Sequence, residues 1–349
     1  MGLGAFGIRH GILDYKIENV VEEPTLLLEF TTNDVGAGTF DPVFNVDFGI
    51  LNWDLGDGSI VNDNVISHDY ANPGNKTVKV NKGTTSGAGA ITTIDMYDDK
   101  LVGTLDISSL INLNFIEAGN NINLTEIKNP ISSTIFTGYR VDYAGITGIL
   151  DLSGLSGLGG TIDVWGNAAM TEIKNPTSSQ TIISYSAQQC GLIGTFDASG
   201  LTGLSVHFDL LSCPSLNKVI MPNVSSMFNY FVIAYCDLTG TLDVSALTGL
   251  SDVFSVSNNA NLTDILLPTF ADAVSFFEAR NCSLNTTTVN DIFAKFNTYY
   301  TANPPDVSSW IWVDGGTNAS PAGGYSNGDI VNLYSIFTGL GLDVSILIN

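Results

Sequence analysis

Apolar residues recur along most of this chain at a constant interval of 23 residues. In each repeat, two apolar residues lie five and three positions before a slot that usually holds Asn or Cys. The slot residues are Asp99, Asn121, Ala144, Asn167, Cys190, Cys213, Cys236, Asn259 and Cys282. A repeat of this length cannot bury its apolar face alone, so the pattern predicts coils that stack into a solenoid around one shared core.

The two apolar residues before each slot predict one short parallel strand per coil, because alternate side chains of a strand enter the core. We expect each coil to return over the convex side through a polar segment rich in Gly, Ser, Thr and Pro. Odd and even coils differ, since the six residues Thr125–Pro130 recur unchanged at 171–176. The structural unit is therefore predicted to be a pair of coils.

This spacing resembles that of the leucine-rich repeat family, whose units of about 20–29 residues carry apolar residues around an Asn or Cys. The resemblance covers residues 91–284 and implies a mainly β protein with about nine coils and a parallel sheet. Solenoid proteins commonly use the concave surface of such a sheet to bind ligands.

Residues 24–82 have a different pattern, in which short apolar stretches surround three motifs. The motifs are Trp53–Gly58 (Trp-Asp-Leu-Gly-Asp-Gly), His68–Tyr70 and Pro73-Gly74. They resemble the hallmark of PKD-type, Ig-like β-domains, and this resemblance implies a small β-sandwich that acts as a spacer or adhesion module outside cells. The two aspartates of the first motif have two interpretations, turn formation or Ca²⁺ binding, and turn chemistry is favoured.

The remaining segments are expected to connect or close these two parts. Residues 1–23 are interpreted as an arm that anchors the protein to a larger assembly, and residues 83–90 form a flexible linker by composition. Residues 285–349 are predicted to be an α/β cap on the open end of the solenoid core. Its elements are a helix starting at Thr286–Thr288, a strand at Trp310–Val313, a helix at Ile330–Phe337 and a strand at Leu342–Ile348.

All the cysteines of the chain occupy the slot position: Cys190, Cys213, Cys236 and Cys282. We interpret them as reduced, buried thiols that pack like small apolar side chains. The alternative is a disulfide or a metal site, but no Cys-x-x-Cys spacing supports zinc binding. No metal and no cofactor is predicted.

The side chains between the core positions of each strand are predicted to line the concave face of the sheet. Exposed aromatic rings among carboxylates suit stacking on sugar rings or anchoring of a protein partner, so this face is the candidate binding site. The alternative is that these residues reflect only the composition typical of strands. The candidates are Tyr97, Phe115, Arg140, Trp165, His207, Tyr230, Phe276 and Arg280.

The charge of the chain is strongly one-sided, with 35 acidic residues, 12 basic residues and a formal net charge of -23. Such a field repels phosphate backbones and anionic membrane surfaces, so no nucleic-acid partner is expected. No apolar run predicts membrane insertion, and no basic segment followed by an apolar core indicates a signal peptide.

Catalysis is not expected from this sequence. The chain contains three histidines and shows no Ser/His/Asp motif, phosphate-binding loop or metal-ligand cluster. Asp163 and Asp209 are a conceivable acid–base pair. They are predicted to lie two strands apart on an open surface, where little would raise the pKa of either carboxyl.

Three functional hypotheses fit these observations. The favoured one is a non-enzymatic phage virion protein, a decoration, fibre or tail/baseplate component on the virion surface, which contacts other virion proteins through the arm or the PKD-like domain. Its partners would include host glycan or host surface protein, and a homo-oligomer is an open alternative. The second hypothesis is a secreted bacterial surface adhesin of the leucine-rich-repeat type, and the third, least favoured, is a carbohydrate-active enzyme.

Overall fold

The computed structural model describes residues 25–34, 40–82, 90–224, 227–270 and 273–349. They form a mainly β protein, a solenoid of about eight turns with parallel stacked strands and a short helical part near the C-terminal end. The predicted arm at 1–23 lies outside the described residues, as does nearly all of the predicted linker at 83–90. The predicted stacking of coils around a shared core is confirmed.

One side of the solenoid is a twelve-stranded sheet, which we call the long sheet. Apart from one antiparallel strand at its N-terminal edge, its strands are parallel and follow the order of the chain. The parallel strands are β6 (Ile91–Asp95), β8 (Phe115–Glu117), β10 (Gly138–Arg140), β12 (Gly160–Asp163), β14 (Ile182–Ser186), β16 (Leu204–Asp209), β18 (Met227–Val232), β20 (Gly249–Ser255), β22 (Phe276–Glu278), β23 (Ser309–Trp312) and β24 (Val344–Leu347).

The core beneath the long sheet contains a column of stacked rings. Phe208, Phe231, Phe254 and Phe277 are neighbours in the strand register and are completely buried. Their ring centroids are 5.5, 5.2 and 5.0 Å apart in succession, and the ring planes of the last two pairs are nearly parallel. The apolar position five residues before each slot is therefore the centre of the core, as the 23-residue pattern predicts.

The opposite side of the solenoid carries four pairs of parallel strands, of which the first continues into a six-stranded sheet with N-terminal strands and the other three are separate two-stranded sheets. The sequence-based expectation of a strand-free return segment was therefore incomplete. The strands are β7 (Leu101–Asp106) with β9 (Asn123–Lys128), β11 (Gly148–Asp151) with β13 (Met170–Lys174), β15 (Ile193–Asp197) with β17 (Ser215–Ile220), and β19 (Thr239–Asp243) with β21 (Asn261–Leu266). Each pair belongs to two successive coils, which explains the 46-residue period. We call the side that carries these strand pairs the convex side.

The slot residues form a buried ladder that fastens each coil to the one before it. Asn167 accepts a hydrogen bond from the amide of Ile146, and its Nδ2 donates to the carbonyls of Val141 and Val164. The same three bonds are made by Asn121 and Asn259. In the cysteine slots, Cys190 Sγ donates to the carbonyl of Val164 at 3.3 Å, so a thiol keeps part of this role. The four cysteines are buried and free, as predicted from the sequence.

The N-terminal strands close the first end of the solenoid. They are β1 (Leu26–Asp34), β2 (Val43–Val46), β3 (Leu51–Asp54), β4 (Ile60–Asn62) and β5 (Gly74–Lys82). Strand β1 pairs with β7 of the convex side and β2 pairs with β6 of the long sheet, both antiparallel. Each sheet of the solenoid is thereby continued by an N-terminal strand, which pairs with part of the edge of the first coil.

The Asp-x-Gly-Asp-Gly motif forms a hydrogen-bonded turn. Asp54 Oδ1 accepts the amide of Gly56, and Asp57 Oδ1 accepts the amide of Ser59. Gly56 has a φ of +77°, and a Cβ there would lie 2.4 Å from the carbonyl oxygen of Thr77. Glycine is therefore required at this position, and both aspartates serve as turn-forming residues.

Asp99, the first slot residue, lies where the N-terminal strands meet the solenoid. Its Oδ1 accepts the amide of Asp41, and burial raises the pKa of its carboxyl from 3.8 to about 8. The folded protein therefore holds a proton that the unfolded chain releases, and stability should fall as the pH rises from about 4 to about 8.

We expect Asp99→Asn to remove this pH dependence, because the amide keeps an oxygen for Asp41 and carries no charge. The free energy of unfolding at pH 8 should rise by about 2 kcal/mol or more. Denaturant unfolding at several pH values measures the effect, with Asp69→Asn, which changes an exposed carboxyl, as the control. An unchanged pH profile in Asp99→Asn would contradict the assignment.

At the C-terminal end, helix α1 (Thr286–Ala302) packs against β21 and against helix α2 (Gly328–Gly339), and α2 packs against β24. Helix α1 is capped by Asn285, whose Oδ1 accepts the amide of Thr288, one residue before the predicted start. The strands predicted as part of a cap extend the long sheet. Asn318 repeats the slot pattern there, since it accepts the amide of Leu284 and donates to the carbonyls of Ala279 and Val313.

Neither α1 nor α2 combines the length and the apolar character that a helix needs to cross a bilayer, and the described residues contain no other α-helix.

Candidate functional site

The outward side chains of the long sheet form the candidate site, which we call the long-sheet face. The eight residues predicted from the sequence lie on its strands or within two residues of a strand end. The structure groups seven of them into three clusters at successive positions along the solenoid. The eighth, Tyr97, lies on the first coil with about half of its surface exposed.

The first cluster combines aromatic rings with an ion pair. Arg140 lies over the ring of Phe115 at 5.8 Å and pairs with Glu117 at 3.7 Å. Trp165 packs against Tyr143, with ring centroids 4.2 Å apart. Tyr143 was not among the predicted residues, because its φ of +46° turns the chain outward directly before the slot. Arg140 is therefore held by two partners rather than freely solvated.

The second cluster is a stacked pair of rings above a buried carboxylate. The rings of His207 and Tyr230 are 4.5 Å apart and within 6° of parallel. His207 Nε2 lies 3.9 Å from Oδ2 of Asp209, which is almost completely buried. Burial lowers the pKa of His207, which favours the uncharged form of this flat ring.

The third cluster is rich in aromatic residues, and its two tryptophans were not among the site residues predicted from the sequence. The ring of Phe276 packs edge-on against Trp312 at 5.4 Å, and Arg280 lies over the same indole at 5.4 Å. Arg280 is fixed by Asp314 through contacts at 2.8 and 3.1 Å. Trp310, which is next to Phe276 in the register, is 42 % exposed.

The two tryptophans were missed because helix α1 interrupts the 23-residue pattern before they occur. The sequence does contain a signal for these two residues, the alternation of side-chain direction expected for the strand at Trp310–Val313. The second and fourth residues of this segment are buried, and the two tryptophans face outward. The same alternation marks the other strands of the long sheet.

Burial changes the acidity of several carboxyls on this face. The pKa of Asp163 and that of Asp209 are both raised to about 6. The pKa of Glu117 is raised to about 7 by burial and by the charge of Asp142, which together outweigh the lowering effect of Arg140. The expectation that an open face would leave the pKa of Asp163 and Asp209 largely unchanged was wrong, because neighbouring strands cover much of each carboxyl.

The three clusters share one chemical design. In each, one or more flat rings lie beside a carboxylate whose position is fixed by an arginine or by burial. A flat ring suits stacking against a sugar ring or a planar side chain, and a fixed carboxylate accepts hydrogen bonds from hydroxyl groups. The face as a whole suits a ligand that is rich in hydroxyl groups and carries no strong negative charge.

No protein-family model, curated protein or solved structure matches this chain. The candidate site is therefore defined by the geometry of its own residues. In the part of the chain that the structure describes, no group of three or more His, Cys, Asp or Glu side chains is arranged to hold a metal ion.

Proposed function

We propose that this protein is a non-enzymatic structural component of a phage virion, in which the solenoid presents the long-sheet face as a rigid binding platform. The main observation in support of this proposal is the series of three clusters of aromatic rings and carboxylates on one continuous sheet. Aromatic residues and arginine in fixed positions are typical of binding hot spots. The expected ligand is a glycan or a protein of the host surface.

We further propose that the coils are of the leucine-rich-repeat type and that the N-terminal strands form a PKD-like, Ig-like sandwich. The buried Asn and Cys ladder supports the first assignment. Supporting the second, Trp53 is buried against Phe44 with ring centroids 4.7 Å apart. Also, His68 Nε2 lies 2.8 Å from Asp57, and the Tyr70 hydroxyl donates to the carbonyl of Leu55.

In this proposal the N-terminal region attaches the protein to other virion proteins. Its described strands are hydrogen-bonded to both sheets of the solenoid, so an attachment there would hold the binding face in a fixed direction. The arm at residues 1–23 is the second expected contact. Self-association into a homo-oligomer through the same region is compatible with this arrangement.

The double variant Trp165→Ala, Tyr230→Ala tests the binding role of the face. Both side chains are only partly buried, so folding should be preserved, while binding to host cells should weaken by about tenfold or more. Circular dichroism checks the fold, and binding of the labelled protein to host cells measures the effect.

The matched control is Ile122→Ala, Ile193→Ala, which removes two exposed side chains that lie outside the long sheet. If the double variant of the face binds as well as the unchanged protein, this face is not the binding site.

A secreted bacterial surface adhesin remains the second candidate, favoured by the PKD-like motif at Trp53–Gly58. Mass spectrometry of purified virions and of washed cell envelopes separates the two candidates. Recovery of the protein in virions, at a constant ratio to capsid protein, supports the first candidate. Recovery only in the envelope fraction supports the adhesin.

Carbohydrate cleavage receives little support from the carboxyls of the face. An acid–base pair requires two groups whose pKa values differ, so that one is protonated while the other is ionised. Asp163 and Asp209 are both raised to about 6 by the same cause, burial. Asp209 is also almost completely buried, which leaves its carboxyl little surface for contact with a substrate.

A further inference from the structure

The convex side contains clefts where its sheet is interrupted. A first cleft of about 550 Å³ lies between β9 and β11, a second of about 340 Å³ between β13 and β15, and a third of about 470 Å³ between β17 and β19. These volumes are in the range of small-molecule binding sites, about 300–1,000 Å³. Since successive clefts are two coils apart, they recur every 10 Å or so along the solenoid.

The clefts share one construction. In the second cleft, Asn175 donates to the carbonyl of Asp197 across the gap, as Asn129 does to Asp151 in the first. The base of the second cleft is closed by Gly200, where a Cβ would lie 2.0 Å from the carbonyl oxygen of Pro176. The walls are therefore fixed in position by the fold, and the space between them is preformed.

The exposed lining of the first and second clefts is identical at four positions. The pairs are Glu126/Glu172, Lys128/Lys174, Asp151/Asp197 and Ser153/Ser199. The two linings differ at two other exposed positions, Ile131 against Thr177 and Ile149 against Thr195. The exposed positions that recur therefore carry charged or hydroxyl groups, and the exposed positions that differ have isoleucine in the first cleft and threonine in the second. Two clefts with the same polar groups suit a ligand that itself repeats.

The chemistry of the lining defines the class of ligand. Three of the nine lysines of this acidic chain, Lys128, Lys174 and Lys218, line the clefts together with aspartates. The clefts therefore offer hydrogen-bond donors and acceptors side by side, with little net charge. Hydroxyl groups, which both donate and accept, match such a lining better than an apolar side chain or a phosphate does.

An extended peptide is the competing ligand, because each cleft lies between two strand edges. Those edges carry the features that discourage strand addition, lysine on the strand and proline at its end. Pro130 comes two residues after Lys128, and Pro176 comes two residues after Lys174. A ligand that crosses the clefts along the solenoid axis avoids this obstacle, whereas a peptide lying parallel to the strands meets it.

We propose that the convex clefts bind a linear, uncharged polysaccharide that runs along the solenoid axis and places sugar units in successive clefts. This is a second site, on the side opposite the long-sheet face, and it does not depend on the function proposed for that face. A repeating ligand gains affinity from each additional cleft that it fills, because later contacts are intramolecular.

The test is binding of the full chain to an immobilised array of neutral and acidic oligosaccharides that range from disaccharides to long oligomers. We expect retention of at least one neutral series, with affinity that rises with length. Thr195→Trp fills the second cleft from an exposed position and should weaken this binding by about tenfold or more. The matched control is Ile193→Trp, two residues earlier on the same strand, at an exposed position that does not line these clefts.

Each other outcome overturns the proposal. If no oligosaccharide is retained, or if both tryptophan variants bind like the unchanged protein, the clefts are not a glycan site. If Trp165→Ala, Tyr230→Ala abolishes glycan binding and Thr195→Trp does not, the glycan site is the long-sheet face alone. A parallel array of extended peptides completes the test, because peptide binding that is lost in Thr195→Trp would assign the clefts to strand addition.

Discussion

Replacing Phe254 with aspartate is expected to abolish cooperative folding of the solenoid. The ring is completely buried and lies between Phe231 and Phe277, at centroid distances of 5.2 and 5.0 Å. Removal of a buried phenylalanine costs about 3–5 kcal/mol, and burying an unpaired carboxylate adds several kcal/mol. The sum is comparable with the whole stability of a typical domain. Thermal melting followed by circular dichroism measures the loss.

Two variants at the same strand give the comparison. Phe254→Leu keeps an apolar side chain and should melt at a lower temperature but still cooperatively. Val253→Asp changes the next residue, which faces outward and is partly exposed, and should leave the fold intact. A Phe254→Asp protein that melts like the unchanged chain would show that the ring column is not the core.

Replacing Asn167 with alanine should lower the free energy of unfolding by about 3–5 kcal/mol. The side chain is buried and makes three hydrogen bonds, one to an amide and two to carbonyls. Each buried group left without a partner costs about 1–3 kcal/mol. Guanidinium unfolding measures the change.

The natural comparison is Cys190→Ala, in the same slot one coil later. Its thiol makes weaker contacts, to the carbonyls of Val164 and Gln188, so the loss should be nearer to 1 kcal/mol. Equal losses in the two variants would mean that the slot stabilises the coils by filling volume, and that its hydrogen bonds contribute little.

The long sheet and its core were predictable because one period determines them. Phe254 and Asn167 follow from counting, since every coil repeats the same apolar and slot positions. The convex strand pairs were not predictable in the same way. A segment such as Gly194–Asp197 sends only Phe196 inward, and alternation over so few residues does not distinguish a strand from a loop.

The candidate face was predictable as a list of residues but not as three clusters. Stacking of His207 on Tyr230 depends on the register between two strands, which sequence spacing indicates only approximately. Trp310 and Trp312 belong to the face because β23 joins the long sheet after a helical insertion, a pairing that no local pattern reveals. The raised pKa of Asp209 likewise depends on cover from residues that are distant in the sequence.

The stacking of coils also determines how this molecule would respond to force. Tension applied along the solenoid axis acts on the hydrogen bonds between neighbouring strands. A terminal coil has a neighbouring coil on one side only, so it is the first to detach. Because strand pairs join the coils two by two, coils would detach in pairs, and each released segment of 46 residues can lengthen to about 160 Å from a span of about 10 Å. A protein built in this way absorbs mechanical work in many small steps, while the coils that are still folded keep their shape.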